Sequence, residues 1–224
     1  MTRLALFDLD HTLLDGDSDV LWCDFLIERG VLDRAAFGAR NAQMDRDYRA
    51  GSVSTQAFCD FYVSTLAART RREWEPLRSA FLAEVVAPRI GPSARELVQR
   101  HGDAGDLVLL TTATNRFITE LTAIHLDIEH LIATECELDA AGNFSGRTLG
   151  KLNMREGKVE RLHAWLQSRG IAWATCDATF YSDSMNDLPL LMAVHHPVAT
   201  NPEARLAAEA AQRGWPVVWL HGPR

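Results

Sequence analysis

Two carboxylates stand two positions apart at the end of an apolar run near the start of the chain. The stretch "LALFDLDHTLLDGDSD" covers residues 4–19 and places Asp8 and Asp10 directly after Leu4–Phe7. A continuous apolar run of this kind is typical of a parallel strand that is buried on both faces. Neighbouring carboxylates repel each other unless a cation or a shared proton lies between them. The sequence therefore predicts a cation at this strand end.

Small polar side chains also follow two later apolar runs, "DLVLL" and "ATFYS". These side chains are Thr111, Thr112, Asp183 and Asp187. Lys158 follows Gly157 at the start of the amphipathic helical pattern "REGKVERLHAWLQSRG", where free backbone N–H groups already favour an anion. Because ligands of open parallel sheets bind outside the carboxyl ends of the strands, we expect all these residues to share one site with Asp8 and Asp10.

The rest of the pattern describes the elements that must position this site. From Val20 to about Pro88 the apolar spacing is helical throughout, whereas strand and helix patterns alternate beyond it. The segment "LDAAGNFSGR" predicts a hairpin that turns at Gly142-Asn143. We therefore predict an α/β fold with a parallel sheet, with a core of residues 1–16 and 89–224 and a helical cap of residues 17–88. Several aromatic residues are assigned to the hydrophobic core: Trp22, Phe58, Phe61, Tyr62 and Trp165.

Composition argues against several classes of function. The 224 residues carry a formal net charge of -7 and no basic run, which argues against nucleic-acid binding. Four widely separated cysteines without a CxxC pair indicate neither a structural zinc nor a disulfide framework. No stretch approaches the roughly 18 apolar residues that cross a membrane, and no basic, apolar leader precedes the first strand. We expect a cytoplasmic protein without membrane contact, whose oligomeric state the sequence leaves open.

The order of the motifs resembles that of the haloacid dehalogenase superfamily of phosphohydrolases. Its four motifs stand here as "DLDHT", "LLTT", "GK" and "SDSMND", in the order of that family. The helical insert after the first motif matches the most N-terminal type of cap, and the likeness is strongest to the phosphoserine phosphatase-like branch. The resemblance covers nearly the whole chain. It implies a Rossmann-like core and a Mg²⁺-dependent phosphatase that works through an aspartyl-phosphate.

The resemblance also implies a role for each motif residue. Asp8 is the nucleophile, and Asp10 protonates the departing alkoxide and later deprotonates water. That role requires Asp10 to hold a proton for part of the time near neutral pH. Thr112 and Lys158 hold the phosphoryl oxygens. Two alternatives stay open for the hydroxyl: Thr111 occupies the motif position, or Thr112 is only the N-cap of the helix "NRFITEL".

A magnesium site follows from the same resemblance. Mg²⁺ prefers hard oxygen ligands and keeps several water molecules. The side chains of Asp8 and Asp183 and the backbone carbonyl of Asp10 are the implied protein ligands. Asp187 stands beside the metal, where it either binds through water or holds Lys158.

The substrate-binding residues are read from the same branch of the family. In that branch a carboxylate shortly after the first motif helps to hold the substrate, and Asp17 stands at the matching position here. Asn186 is assigned as a second substrate-binding residue. The family's cap arginine has no convincing match, with Arg46 and Arg49 nearest. The expected partner is a small phosphorylated metabolite, such as the phosphate ester of an amino alcohol or amino acid (histidinol phosphate or phosphoserine). Asp17 has an alternative role as the cap of the helix that begins near Val20.

Two other functions remain alternatives. A phosphotransferase would pass the phosphoryl group from Asp8 to an alcohol instead of water. A non-enzymatic phospho-acceptor module would also use clustered carboxylates, a hydroxyl and a lysine. The chain length, the cap and the second acidic pair, Asp183 and Asp187, argue against that module.

Overall fold

The protein is built on a seven-stranded sheet within residues 1–222, which are the residues that this computed structural model describes, apart from the side chains of residues 45 and 49. The strands are β1 (Thr2–Phe7), β2 (Leu107–Asn115), β3 (His130–Leu138), β4 (Phe144–Leu149), β5 (Cys176–Ser182), β6 (His196–Thr200) and β7 (Val217–Val218). They lie in the order β4-β3-β2-β1-β5-β6-β7. β4 is antiparallel to β3, and the other neighbours are parallel. The predicted α/β fold is confirmed.

The regular elements between β1 and β2 are all helical, and helices cover both faces of the sheet. They are α1 (Ser18–Glu28), α2 (Ala39–Ala50), α3 (Thr55–Ser64), α4 (Arg71–Phe81), α5 (Pro92–Asp103), α6 (Arg116–His125), α7 (Glu156–Ser168), α8 (Leu188–Ala193) and α9 (Ala204–Arg213). Short π-helical segments span 34–38 and 82–86. The predicted helical insertion after the first strand is therefore confirmed, and the division into core and cap at residues 17 and 88 stays a prediction.

β1 lies at the centre of the sheet, which explains its continuous apolar sequence. Ala5 and Phe7 pack into one hydrophobic cluster, and Leu4 and Leu6 pack into the other, on the opposite face. Phe7 pairs with both Leu110 of β2 and Tyr181 of β5. The residues that follow Phe7, Leu110 and Tyr181 therefore meet at one edge of the sheet, where β2 continues to Asn115.

The inserted helices are joined to the sheet domain by aromatic packing. Trp22 of α1 is fully buried, and its ring lies 5.1 Å from that of Phe81 and 6.5 Å from that of Phe117, which belongs to α6. Arg78 of α4 donates to Glu120 of α6 at 2.7 Å. Burial of such large rings is worth about 2–3 kcal/mol each, so the insert is held firmly against the domain that carries the strands.

The hairpin formed by β3 and β4 is confirmed, but its predicted two-residue turn at Gly142-Asn143 is wrong. The connection is a loop of residues 139–143. The carboxylate of Asp139 accepts hydrogen bonds from the backbone N–H groups of Ala141 and Asn143, at 2.8 and 2.9 Å, which stabilise this wider loop. Within residues 1–222, none of the helices combines the length and the apolar character needed to cross a bilayer.

Candidate active site

Asp8 lies at the carboxyl end of β1, in a pocket between the sheet and the inserted helices. Its backbone N–H donates to the carbonyl oxygen of Tyr181 at 2.9 Å, which extends the pairing of β1 with β5 by one residue. The side chain is buried, and its Oδ1 accepts a hydrogen bond from Lys158 Nζ at 2.7 Å. The strand therefore fixes the backbone of Asp8, and the lysine fixes one carboxylate oxygen.

Lys158 is in the first turn of α7 and reaches the site through the interior of the protein. Its side chain is 2 % exposed, and Nζ also donates to Asp187 Oδ2 at 2.7 Å. Gly157 allows the start of α7 to lie close to the backbone of Leu152, because a Cβ there would be only 2.2 Å from the carbonyl oxygen of Leu152. Burial alone would lower the pKa of Lys158, but Asp187 and Asp8 outweigh it and raise the pKa. The lysine is therefore a permanent cation.

Thr12 connects the first motif to the last one. Its hydroxyl lies 3.2 Å from Asp8 Oδ2 and 3.3 Å from Asp183 Oδ1, and it accepts a hydrogen bond from the backbone N–H of Asp183 at 3.0 Å. Asp187 is held by Lys158 and by the hydroxyl of Ser182, which donates to Oδ2 at 2.7 Å. The structure thus brings Asp8, Asp183 and Asp187 together, as their positions after two strands predict.

The site contains more buried negative charge than the lysine can balance. Burial raises the pKa of Asp8 to about 7, even though Lys158 opposes the increase. Burial also raises the pKa of Asp183 well above its usual range, and the charge of Asp8 adds to this. Within residues 1–222, no three His, Cys, Asp or Glu side chains form a metal-binding cluster. The donor set nevertheless fits a hard cation that takes Asp8 and Asp183 and completes its shell with backbone, water or substrate oxygens.

The carboxylate of Asp10 is held by donors other than those of Asp8. Oδ1 accepts from the backbone N–H of Ser18 at 2.7 Å, in the first turn of α1. Oδ2 accepts from the hydroxyl of Thr114 at 2.9 Å and lies 3.3 Å from that of Thr112. Asp10 therefore stands between the first inserted helix and the end of β2.

The two candidate threonines have different partners. The hydroxyl of Thr111 accepts from Asn153 Nδ2 at 2.9 Å. The hydroxyl of Thr112 lies near Asp10 and accepts the backbone N–H of Thr114 at 3.1 Å. Helix α6 is capped by Asn115, whose side chain accepts from the N–H of Ile118, so the alternative of Thr112 as its N-cap is wrong.

A pocket of about 150 Å³ opens over Asp8 and is lined by both parts of the molecule. Tyr48 of α2 and Phe58 of α3 form an aromatic wall, with ring centroids 3.9 Å apart. Phe58 is buried as expected of a core residue, yet it also lines the pocket. The sheet domain supplies the rest of the lining, including Met154, Arg155, Met185, Asn186, Glu203 and Arg205. A substrate in this pocket would contact the cap with one side and the core with the other.

Asn186 joins the two walls at the pocket. Its Nδ2 donates to the hydroxyl of Tyr48 at 3.0 Å, and its Oδ1 accepts from Arg155 Nε at 3.2 Å. Arg155 has φ 51° and ψ -126°, a backbone conformation that costs a side-chain-bearing residue about 1–3 kcal/mol. This chain of contacts connects α2 with the segment before α7 at the pocket.

Asp17 lines the pocket and also caps α1. Its Oδ1 accepts from the backbone N–H of Val20 at 3.0 Å, so the capping role considered from the sequence is present. Arg46 bonds Gln43 on the exposed surface and does not line the pocket. The side chain of Arg49 lies outside the described residues.

Several residues of the site were not assigned by the sequence argument. They are Thr12, Asp19, Tyr48, Thr114 and Arg155. Thr12 is the last residue of the motif "DLDHT", and Thr114 stands two positions beyond the motif "LLTT", so their spacing could have indicated them. Tyr48 sits in a polar helix whose sequence pattern gives no sign of a pocket.

Comparison with known sequences shows a match along most of the chain. Residues 5–192 match the sequence pattern of the haloacid dehalogenase-like hydrolase family. The chain is 42% identical over 219 residues to a histidinol-phosphatase of Neisseria meningitidis, covering 97% of this chain and 99% of that protein. It is 32% identical over 227 residues to a phosphoserine phosphatase of Mycobacterium tuberculosis, covering 97% of this chain and 70% of the other.

Comparison with solved structures agrees. A Bordetella pertussis protein of unknown function superimposes with a TM-score of 0.94 at 41% identity, covering 99% of this chain and 100% of the other. A phosphoserine phosphatase in complex with substrate superimposes with a TM-score of 0.69 at 16% identity, over 97% of this chain and 93% of that one, which is a likeness of fold.

Proposed function

Because this chain belongs to the haloacid dehalogenase-like hydrolases and is a phosphatase of that family, we propose that it hydrolyses the phosphate ester of a small amino alcohol through a phosphorylated Asp8. The observation that carries the mechanism is the position of Asp8 in a pocket, with Lys158 on one carboxylate oxygen and Thr12 beside the other. Histidinol phosphate is the first candidate substrate.

In the first half-reaction, a carboxylate oxygen of Asp8 attacks phosphorus in line with the ester oxygen. The bond between phosphorus and the ester oxygen breaks, and the leaving alkoxide takes a proton from Asp10. Lys158 and the hydroxyl of Thr112 stabilise the charge that is redistributed over the phosphoryl oxygens. The products of this step are an alcohol and an aspartyl-phosphate.

In the second half-reaction, Asp10 acts as the base. It takes a proton from a water molecule whose oxygen attacks phosphorus, and the bond to Asp8 breaks, which regenerates the carboxylate and releases phosphate. Thr12, shared between Asp8 and Asp183, holds the nucleophile in place through both steps. Asp187 keeps Lys158 in position beside Asp8.

Magnesium is proposed as the cofactor. The side chains of Asp8 and Asp183 and the backbone carbonyl of Asp10 would hold it, and it would neutralise the phosphate and the crowded carboxylates. The excess buried negative charge supports this choice. Removing divalent ions with a chelator is expected to abolish phosphate release, and added Mg²⁺ is expected to restore it. Restoration by Zn²⁺ and not by Mg²⁺ would contradict an oxygen-ligand site.

The pocket walls support an amino alcohol with an aromatic ring as the leaving group. Asp17 offers a carboxylate to an ammonium group, and Tyr48 and Phe58 offer ring faces to an imidazole. The relative at 42% identity is a histidinol-phosphatase, which points to the same chemistry.

Phosphoserine is the second candidate, since two arginines reach the pocket. Arg155 and Arg205 line it and would attract a carboxylate. Nε of Arg155 already donates to Asn186, which leaves its terminal nitrogens for a substrate. The phosphoserine phosphatase relative at 32% identity is consistent with this alternative.

A direct comparison of substrates tests the proposal. Phosphate release is measured with Mg²⁺ for histidinol phosphate, phosphoserine and glycerol phosphate, with and without an added alcohol as acceptor. We expect the highest kcat/KM for histidinol phosphate. A higher value for phosphoserine would favour the second candidate, and phosphoryl transfer to the alcohol in preference to water would identify a phosphotransferase.

A further inference from the structure

Asp19 is a buried carboxyl group that the proposed mechanism does not use. It lies in the first turn of α1 and is 3% exposed. Its hydrogen-bond partners are the hydroxyl of Thr114, 3.2 Å from Oδ2, and Asn115 Nδ2, 3.4 Å from Oδ1. Within the described part of the chain it forms no ion pair. A buried carboxyl with only neutral partners is costly as an anion and is expected to be neutral.

The hydroxyl of Thr114 connects Asp19 to the general acid. It lies 2.9 Å from Asp10 Oδ2 and 3.2 Å from Asp19 Oδ2, and it accepts from the hydroxyl of Ser18 at 3.1 Å. A hydroxyl has one hydrogen and two acceptor sites. It donates to only one of the two carboxyl groups, so the other must carry a proton and donate to it.

The surrounding donors decide which carboxyl group carries that proton. Asp10 lines the pocket and accepts the backbone N–H of Ser18 at 2.7 Å, whereas Asp19 is buried away from the pocket among neutral partners, which assigns the proton to Asp19. The amide of Asn115 has a fixed orientation, because its oxygen accepts the N–H of Ile118 at the start of α6. Its nitrogen therefore faces Asp19 Oδ1, which acts as an acceptor and leaves the proton on Oδ2, toward Thr114.

Electrostatics agree with this arrangement. Burial raises the pKa of Asp19 well above its usual range, and the charges of Asp17 and Asp10 add to the increase. The two acceptor sites of the Thr114 hydroxyl are then filled by Ser18 and Asp19, and its hydrogen points to Asp10.

We propose that Asp19 is a positioning residue for the reaction: in its neutral form it donates to Thr114 and thereby aims the hydroxyl hydrogen of Thr114 at Asp10. The inference rests on the proposed role of Asp10 as general acid. The hydrogen bond from Thr114 strengthens as Asp10 becomes negative, which happens when the leaving alkoxide takes its proton. It also ties the first turn of the inserted helices to the end of β2, next to the catalytic group.

The test compares leaving groups. We expect Asp19→Ala to lower kcat/KM on histidinol phosphate by about 10- to 30-fold, the effect of one charge-assisted hydrogen bond, and on p-nitrophenyl phosphate by less than about threefold. Nitrophenolate leaves without a proton, so it does not need Asp10 in that step. Asp10→Asn, which removes the general acid itself, shows how large the selective loss on histidinol phosphate can be. Equal losses on both esters would overturn the proposal.

A conservative variant separates a neutral from a charged Asp19. The amide of Asp19→Asn is able to donate to Thr114 and accept from Asn115, so we expect its kcat/KM on histidinol phosphate to stay within about threefold of wild type. Loss equal to that of Asp19→Ala would show that a charge is needed and would overturn the proposal. Asp24→Ala, an exposed position on the same helix, is the matched control and is expected to change neither ester.

Two further measurements keep the proposal testable. If Asp19→Ala does not fold, Thr114→Val is used instead, because it removes the hydroxyl that connects Asp19 to Asp10. This variant must show the same selective loss on histidinol phosphate, and an equal effect on both esters would overturn the proposal. If wild type releases no phosphate from either ester, the proposed function fails on its own. The infrared difference between wild type and Asp19→Asn then decides about Asp19: the band of a protonated carboxyl group is expected, and its absence overturns the proposal.

Discussion

The core side and the cap side of the pocket are built in different ways. On the core side, the reactive groups lie at or just beyond the carboxyl ends of β1, β2 and β5 or stand in the first turn of α7, and buried donors hold them. Lys158 binds both Asp8 and Asp187 at 2.7 Å. On the cap side, Tyr48 and Phe58 offer a stacked aromatic surface, and a single hydrogen bond joins Tyr48 to Asn186. The difference supports the proposal that the core carries the phosphoryl chemistry and the cap selects the leaving group.

The largest expected effect lies on the core side, at the nucleophile. Asp8→Asn retains the shape of the side chain but cannot attack phosphorus, so kcat is expected to fall by about 10⁴-fold or more on every ester. The fold should survive, since an amide still accepts from Lys158. Steady-state kinetics and a thermal melt measure the two effects, with Asp24→Asn on the surface of α1 as control. Substantial activity in Asp8→Asn would contradict the division between core and cap.

Lys158→Met should give the next largest loss. It removes the cation between two buried carboxylates, so kcat is expected to fall by about 10²- to 10³-fold. The melting temperature should also fall, because Asp8 and Asp187 are left buried without a cation. The loss should be the same for histidinol phosphate and for phenyl phosphate. A loss that depends on the leaving group would place Lys158 among the specificity residues instead.

Asp17→Asn probes the boundary between the two sides. If Asp17 binds an ammonium group, kcat/KM on histidinol phosphate is expected to fall by roughly 10- to 100-fold while phenyl phosphate is spared. The amide still caps α1, so stability should change little. Equal losses on both esters, or a lower melting temperature with unchanged selectivity, would mean that Asp17 is only a helix cap.

The smallest effects are expected at the aromatic wall. Tyr48→Ala removes the ring that stacks on Phe58 and should lower kcat/KM on histidinol phosphate by about 10-fold, with a smaller loss on phosphoethanolamine, which has no ring. Tyr48→Phe loses only the hydroxyl contacts with Asn186 and with Met154 Sδ and should stay within about threefold of wild type. If Tyr48→Phe is as impaired as Tyr48→Ala, the hydroxyl bridge and not the ring surface is the important feature.

The same contrast explains what the sequence could predict. Asp8, Thr112 and Asp183 could be predicted, because residues near the carboxyl ends of parallel strands meet at one edge of the sheet. Lys158 could be predicted from its position in the first turn of an amphipathic helix. The family resemblance supplied their roles. The wall formed by Tyr48 and Phe58 was not accessible, because it depends on how α2 and α3 pack over the sheet, which no local pattern encodes.

Local chemistry accounts for the remaining differences. The predicted turn at Gly142-Asn143 was wrong because the side chain of Asp139 stabilises a longer loop. Asp19 was not assigned to the site from the sequence. Its burial arises from contacts with Thr114 and Asn115, about a hundred residues later in the chain.

Trapping the covalent intermediate tests the central claim most directly. The wild-type protein with Mg²⁺ and histidinol phosphate is quenched during turnover, digested and analysed by mass spectrometry. We predict one phosphoryl group on the peptide that contains Asp8, formed fast enough to account for turnover and absent from Asp8→Asn. Turnover without any phosphorylated peptide, or with the phosphoryl group on another residue, would contradict the account.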